Sequence, residues 1–148
     1  MENDYINIIL ADDDRDDRLF FTDAFEELRM NTKVNTYNDG VELMDFLNSD
    51  DAIMPNVLFL DLNMPKKSGI ECLNEIKASG KMSEIAIAIY STSASEEDIE
   101  ETFVLGANIY IKKPSDFKAL KKVLAEVVSI NWQYHTNSLN KDNFLLRM

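Results

Sequence analysis

Val57-Leu58-Phe59-Leu60-Asp61-Leu62-Asn63-Met64-Pro65 is an apolar run that ends on a carboxylate and is stopped by a proline. Four consecutive apolar residues bounded by breakers have the length of a buried strand, the kind found inside a parallel sheet with both faces covered. The same form recurs on either side. Ile6–Ala11 runs into Asp12-Asp13-Asp14, Lys33–Tyr37 into Asn38-Asp39-Gly40, Ile85–Tyr90 into Ser91-Thr92-Ser93, and Ile109–Ile111 into Lys112-Lys113-Pro114.

Between and after these runs the apolar period changes to that of a helix. Helices are predicted near Asp16–Leu28, Gly40–Asn48, Gly69–Ser79, Glu96–Leu105 and Asp116–Val128. Leu19, Phe20, Ala24 and Leu28 fall at helical spacing, Asn38-Asp39-Gly40 marks a turn, and Ser95-x-x-Asp98 has the form of a capping box with an acidic first turn. Five strand–helix pairs in alternation predict an α/β fold with a parallel sheet covered by helices on both faces.

Bulk properties fit one domain over residues 1–130. The 148 residues are 45% hydrophobic and 28% charged, with no Pro/Gly/Ser-rich linker. Residues 131–148 break the alternation, placing Trp132, Tyr134, Phe144, Leu145 and Leu146 among asparagines without a period, and read as an extension with no fold of its own. A single cysteine, Cys72, and a single histidine, His135, leave no disulfide and no Cys/His zinc site. With no secretory or membrane-spanning pattern either, a cytoplasmic protein is expected. The formal charge of -12 argues against binding a nucleic-acid backbone; it suits a basic protein partner, a divalent cation or simply a soluble acidic protein, and charge alone does not choose among these.

Open parallel sheets gather function at the carboxyl ends of their strands. There the sequence supplies Asp12, Asp13, Asp61, Ser91 and Lys113. Each alone has an ordinary explanation: a solvated acidic loop with one helix N-cap, a strand terminator, a turn hydroxyl, a surface lysine. Together they bring acids, a hydroxyl and a cation to one edge. Three clustered carboxylates raise one another's pKa unless a cation relieves them, and Lys113 offsets only part of that charge. Magnesium suits the remainder, since it takes a few carboxylate or carbonyl oxygens and shares its shell with a phosphate.

On these residues the chain resembles the receiver domain of CheY-like response regulators, over residues 6 to about 128. Ser91 lies 30 residues after Asp61, Lys113 lies 22 after Ser91, and Pro114 follows Lys113. Met64-Pro65 and Gly69 also fit the loop after the acceptor. The resemblance implies a flavodoxin-like (βα)5 sandwich whose five-stranded parallel sheet has the order 2-1-3-4-5. It implies a phosphoacceptor at Asp61, Mg2+ held by Asp13, Asp61 and the carbonyl of Asn63 with Asp12 acting through water, and phosphoryl oxygens bound by Ser91 and Lys113. Ser91 and Tyr110 would form the switch. Tyr110 precedes Lys113 by three residues, which in a regular strand puts the two on opposite sheet faces. Ser91 stands where threonine is frequent.

The implied role is a stand-alone response regulator. It would be phosphorylated by a histidine kinase or phosphotransfer protein and read by a downstream protein partner, with no nucleic acid and no membrane involved. Asp12 to Arg18, Leu60 to Gly69 and Ser91 to Ile99 look most like the single-domain regulators that accompany phytochrome-type histidine kinases. A magnesium phosphohydrolase of the haloacid-dehalogenase type would need a second acid two residues after Asp61, where Asn63 stands. A degenerate receiver would lack chemistry that is present here. For the extension, the reading is cover for the domain's own surface, with a homodimer contact or a kinase-docking element as the alternatives.

Overall fold

The computed structural model describes residues 5–130 and 144–146. The predicted alternation is present: β1 (Ile6–Ala11), α1 (Arg15–Leu28), β2 (Thr32–Tyr37), α2 (Gly40–Leu47), β3 (Val57–Leu60), α3 (Gly69–Ala78), β4 (Ala86–Ser91), α4 (Glu96–Val104), β5 (Ile109–Lys112) and α5 (Phe117–Ser129). A 3-10 turn, Gly80–Met82, precedes β4. No described helix is long and apolar enough to cross a membrane.

All strand pairs are parallel, and the first five strands lie in the order β2-β1-β3-β4-β5. Alternate residues of the central strands feed two separate cores. Ile9, Ala11, Leu58, Leu60, Ile87, Ile89 and Tyr110 pack with α2 and α3 through Leu43, Leu47, Leu73 and Ile76. Ile8, Leu10, Phe59, Ala88, Tyr90, Ile109 and Ile111 pack with α1 and α5 through Phe21, Phe25, Leu120 and Leu124. This is the doubly wound sandwich, and it explains why β3 reads as an unbroken apolar run: each of its four residues is buried.

The sheet has one strand more than the sequence predicts. Leu145–Leu146, β6, pairs in parallel with β5 in the register Tyr110 to Leu145 and Ile111 to Leu146, and Phe144 before it is fully buried. The outer edge of β5 offers unpaired backbone groups that a short segment can satisfy. A two-residue strand carries no alternation that a period search could find. The reading of Trp132 and Tyr134 as surface cover concerns residues outside those described.

Local signals explain most helix starts. Asp14, Asp39, Ser68, Ser95 and Asp116 are N-caps whose side chains accept backbone N–H groups of the first turn. The capping box expected at Ser95 is only half formed: Ser95 accepts from the Asp98 N–H, while the Asp98 carboxylate accepts from Ser93 Oγ at 2.7 Å. Competition from that hydroxyl explains the difference. A complete box stands instead at Ser68 and Glu71, at the start of α3.

Candidate functional site

Backbone ladders carry on past the strand ends and fix where the functional residues sit. Asp12 N–H donates to the Tyr37 carbonyl at 3.0 Å, Asp61 N–H to the Ala11 carbonyl at 3.0 Å, and Lys113 N–H to the Ser91 carbonyl at 2.8 Å. These bonds join the end of β1 to those of β2 and β3 and the end of β5 to that of β4, while the β3–β4 ladder, which pairs Leu60 with Ile89, closes the row. The β3–α3 loop folds back over the same edge through the Gly69 N–H to the Leu62 carbonyl, 3.0 Å. A side chain at Gly69 would run into the Asp61 carbonyl and Leu62 Cα, so the close approach requires glycine.

Asp12, Asp13 and Asp61 each present a carboxylate oxygen, and the three oxygens lie within 4.8 Å of one another. Asp12 is fully buried and Asp61 nearly so, while Asp13 is exposed. Burial pushes the Asp12 carboxyl up to about 6 and raises that of Asp61 as well, in both cases against the pull of Lys113. Lys113 Nζ stands 2.8 Å from Asp12 Oδ2 and 3.3 Å from Asp61 Oδ2. Burial opposes its charge, but the carboxylates of Asp12, Asp17 and Asp61 outweigh that and hold its pKa above the ordinary lysine value. Its ammonium also lies 5.5 Å from the centre of the Tyr90 ring.

The donor set fits a divalent cation on a specific observation. Asp12 Oδ2, despite its ion pair, accepts no aligned hydrogen bond, leaving a buried carboxylate oxygen short of a partner among the described residues. Two buried acids, an exposed third and one lysine leave excess negative charge in a poorly solvated place, and hard oxygen ligands suit a hard ion. Asn63, expected to lend its carbonyl, is held at the same corner by its N–H, which donates to Asp61 Oδ1 at 3.3 Å.

The remaining expected residues sit close by in sequence and bonding. Ser91 is fully buried at the end of β4, and its Oγ accepts from the Ser93 N–H at 3.2 Å. Tyr110 is fully buried in the core layer of α2 and α3, and its hydroxyl donates to the Ser93 carbonyl at 2.7 Å. Lys113 lies over Tyr90, a residue of the opposite layer, as the odd spacing from Tyr110 predicts. Ser93 therefore joins Ser91 to Tyr110 through two hydrogen bonds, a connection the sequence did not reveal.

Asp17 and Arg18 also join the site, although no motif in the sequence marks them. Asp17 Oδ2 lies 2.8 Å from Lys113 Nζ, and the Arg18 guanidinium donates to the Asp12 carbonyl at 2.8 Å. Both belong to the first turn and a half of α1, which Asp14 caps. Their signal was available in principle: with the helix starting after an N-cap at Asp14, residues 17 and 18 return toward the β1 end.

Comparison with known proteins identifies the family and the fold. The response regulator receiver domain family model matches residues 8–125. Among curated relatives, the probable methanogenesis regulatory protein FilR2 of Methanothrix harundinacea is 29% identical over 81% of this chain and 79% of its own length. Response regulator Rcp1 of Synechocystis sp. is 29% identical over 82% of this chain and 86% of its own. A crystal structure of Rcp1 in its Mn2+-bound form superposes with a TM-score of 0.76, covering 84% of this chain and 93% of that one at 29% identity. The phosphorylated cyanobacterial phytochrome response regulator RcpA gives 0.77 at 28% identity, covering 92% and 97%.

Proposed function

The chain belongs to the response regulator receiver domain family of two-component signalling, and from that premise we propose that Asp61 is its phosphoacceptor. Receiver domains are signalling proteins and not turnover enzymes. The observation that carries the reading is Lys113, whose ammonium stands between the buried carboxylates of Asp12 and Asp61 beside the exposed Asp13. A carboxylate nucleophile, a fixed cation and a set of hard oxygen ligands are the parts that phosphoryl transfer needs, because the reaction is governed by positioning and charge neutralisation.

In the proposed reaction an Asp61 carboxylate oxygen attacks phosphorus in line. The new P–O bond forms as the P–N bond to a donor phosphohistidine breaks, and the imidazole leaves with the electron pair. Lys113 exchanges its contact with Asp61 Oδ2 for a phosphoryl oxygen, and Ser91 Oγ donates to another. Asp13, Asp61, the Asn63 carbonyl and, through water, Asp12 would hold Mg2+, which supplies charge neutralisation for the phosphoryl group. The product is an acyl phosphate, labile to water, so the switch resets by hydrolysis. The partners are a histidine kinase or phosphotransfer protein upstream and a protein downstream, the readout passing through Ser91, Ser93 and Tyr110.

The likeness to Rcp1 and RcpA supports the choice of a divalent ion and of phosphorylation, the one crystallised with Mn2+ and the other phosphorylated. The test is thermal unfolding with beryllofluoride and magnesium, which together mimic the phosphoryl group. Ligands that bind only the folded form raise its melting temperature. Wild type should be stabilised and Asp61→Asn should not; equal stabilisation of both proteins would remove Asp61 from the role.

A further inference from the structure

Lys113 is held by more than the acceptor site requires. Its ammonium has three N–H donors and three carboxylate neighbours: Asp12 and Asp17 at 2.8 Å and Asp61 at 3.3 Å. The Asp12 contact is an ion pair without hydrogen-bond alignment, so it draws the charge close without aiming it. Asp17 makes an aligned hydrogen bond across 96 positions of sequence. We propose that Asp17 is a positioning residue for phosphoryl capture, its carboxylate fixing the Lys113 ammonium so that a donor stays directed at the oxygen carried by Asp61.

Asp17 is suited to that task by where it stands. Its own backbone N–H donates to Asp14 Oδ1 at 3.1 Å, so the carboxylate is mounted on the first turn of a capped helix. The amino end of that helix favours a negative charge. Lysine is a point charge on a long flexible stem, and it loses much rotamer freedom when it must hold one position. With Asp12 and Asp17 fixed, the longer Asp61 contact is the one free to be exchanged when a phosphoryl oxygen arrives.

Charge and positioning predict opposite outcomes for removal of this carboxylate. Asp17 is about one-third exposed. If it acts only as one more negative charge near an anion site, removing it should tighten anion binding slightly, by about threefold or less given solvent screening. If it positions Lys113, removal should weaken binding despite the lost repulsion. Asp16, exposed on the same turn and outside the Lys113 cluster, serves as the charge control.

The inference rests on the receiver reading above, and the experiment separates the two. Beryllofluoride affinity is measured with saturating magnesium in the full chain for wild type, Asp17→Ala, Asp17→Asn and Asp16→Ala. The ammonium resonance of Lys113 is followed by 15N NMR. Expected are about tenfold weaker binding for Asp17→Ala, an intermediate value for Asp17→Asn, which keeps an acceptor, and unchanged or tighter binding for Asp16→Ala. The slowly exchanging Lys113 ammonium signal should vanish in Asp17→Ala and persist in Asp16→Ala. A response of Asp17→Ala that matches Asp16→Ala in both measurements overturns the positioning role while leaving the receiver reading intact. If wild type fails to bind beryllofluoride at all, the receiver reading falls and this inference with it.

Discussion

At the carboxyl end of β5, Lys113 is surrounded by three carboxylates, two of them buried. Along the outer edge of the same strand, Tyr110 meets Phe144 ring to ring at 6.2 Å, and Phe144 meets Phe103 of α4 at 5.3 Å. The first region is assembled from charges that lost their water and now depend on one another. The second is assembled from rings whose burial is favourable in itself. Anything that alters charge, whether proton, metal or phosphoryl group, should therefore act on the first region and leave the second nearly untouched. Shape changes should do the reverse.

The largest effect should come from removing the ammonium that the three carboxylates share. Lys113→Met keeps an apolar stem over Tyr90 but leaves Asp12 and Asp61 facing each other without an ammonium. Breaking a buried ion pair on one side costs about 3 kcal/mol, because the abandoned charge remains. Urea unfolding at pH 7 without divalent ions should show that loss, and added magnesium should recover part of it. A loss below about 1 kcal/mol would mean that the carboxylates are well solvated after all, and the contrast between the two regions would collapse.

A pH experiment sharpens the same contrast with a smaller effect. In the metal-free protein Asp12 has its carboxyl raised from 3.8 to about 6, first by burial. The folded form then holds a proton that the unfolded chain releases, so stability falls as pH rises between 3.8 and about 6 and is level above. The difference between wild type and Asp12→Asn reports the titration of Asp12 together with its effect on neighbouring Asp61. Over that window it should change by about 3 kcal/mol with EDTA present, and magnesium should flatten it by favouring the ionised carboxylate. A difference that rises with pH would reverse the assigned sign.

The same division decides what could be read from the sequence. Val57–Leu60, buried on both faces, announced a central parallel strand, and the polar residues after each strand end announced the site. Asp12, Asp13, Asp61 and Lys113 meet because strand ends in such a sheet share one edge, a rule of topology that needs no side-chain detail. Asp17 escaped notice because its role depends on where α1 begins, and that is set by the Asp14 cap. Ser93 escaped because its part is played partly by its backbone carbonyl and N–H, which any residue possesses. Phe144 covers the domain's own surface, as expected of the extension's aromatics, but the strand after it, β6, was illegible for a third reason. Its pairing joins residues distant along the chain, and two strand residues carry no period.

Phe144 gives the smallest effect and the finest test. Truncating a fully buried phenylalanine within a closed core costs about 3–5 kcal/mol. Here the penalty is capped, because the segment can leave the β5 edge and the loss cannot exceed what its docking contributes. Phe144→Ala should therefore lower stability by only about 1 kcal/mol, with reduced hydrogen-exchange protection at the outer edge of β5 and none lost on the side facing β4. Its reach toward the charged region runs through Tyr110 to the Ser93 carbonyl and from the Ser93 N–H to Ser91 Oγ. Two hydrogen bonds in series can pass a modest coupling, so beryllofluoride affinity should change by about twofold. Adding Lys113→Met to Phe144→Ala should give stability losses that sum, since the two side chains share no contact. Strong non-additivity would show that the charged end and the apolar edge of β5 are one cooperative unit.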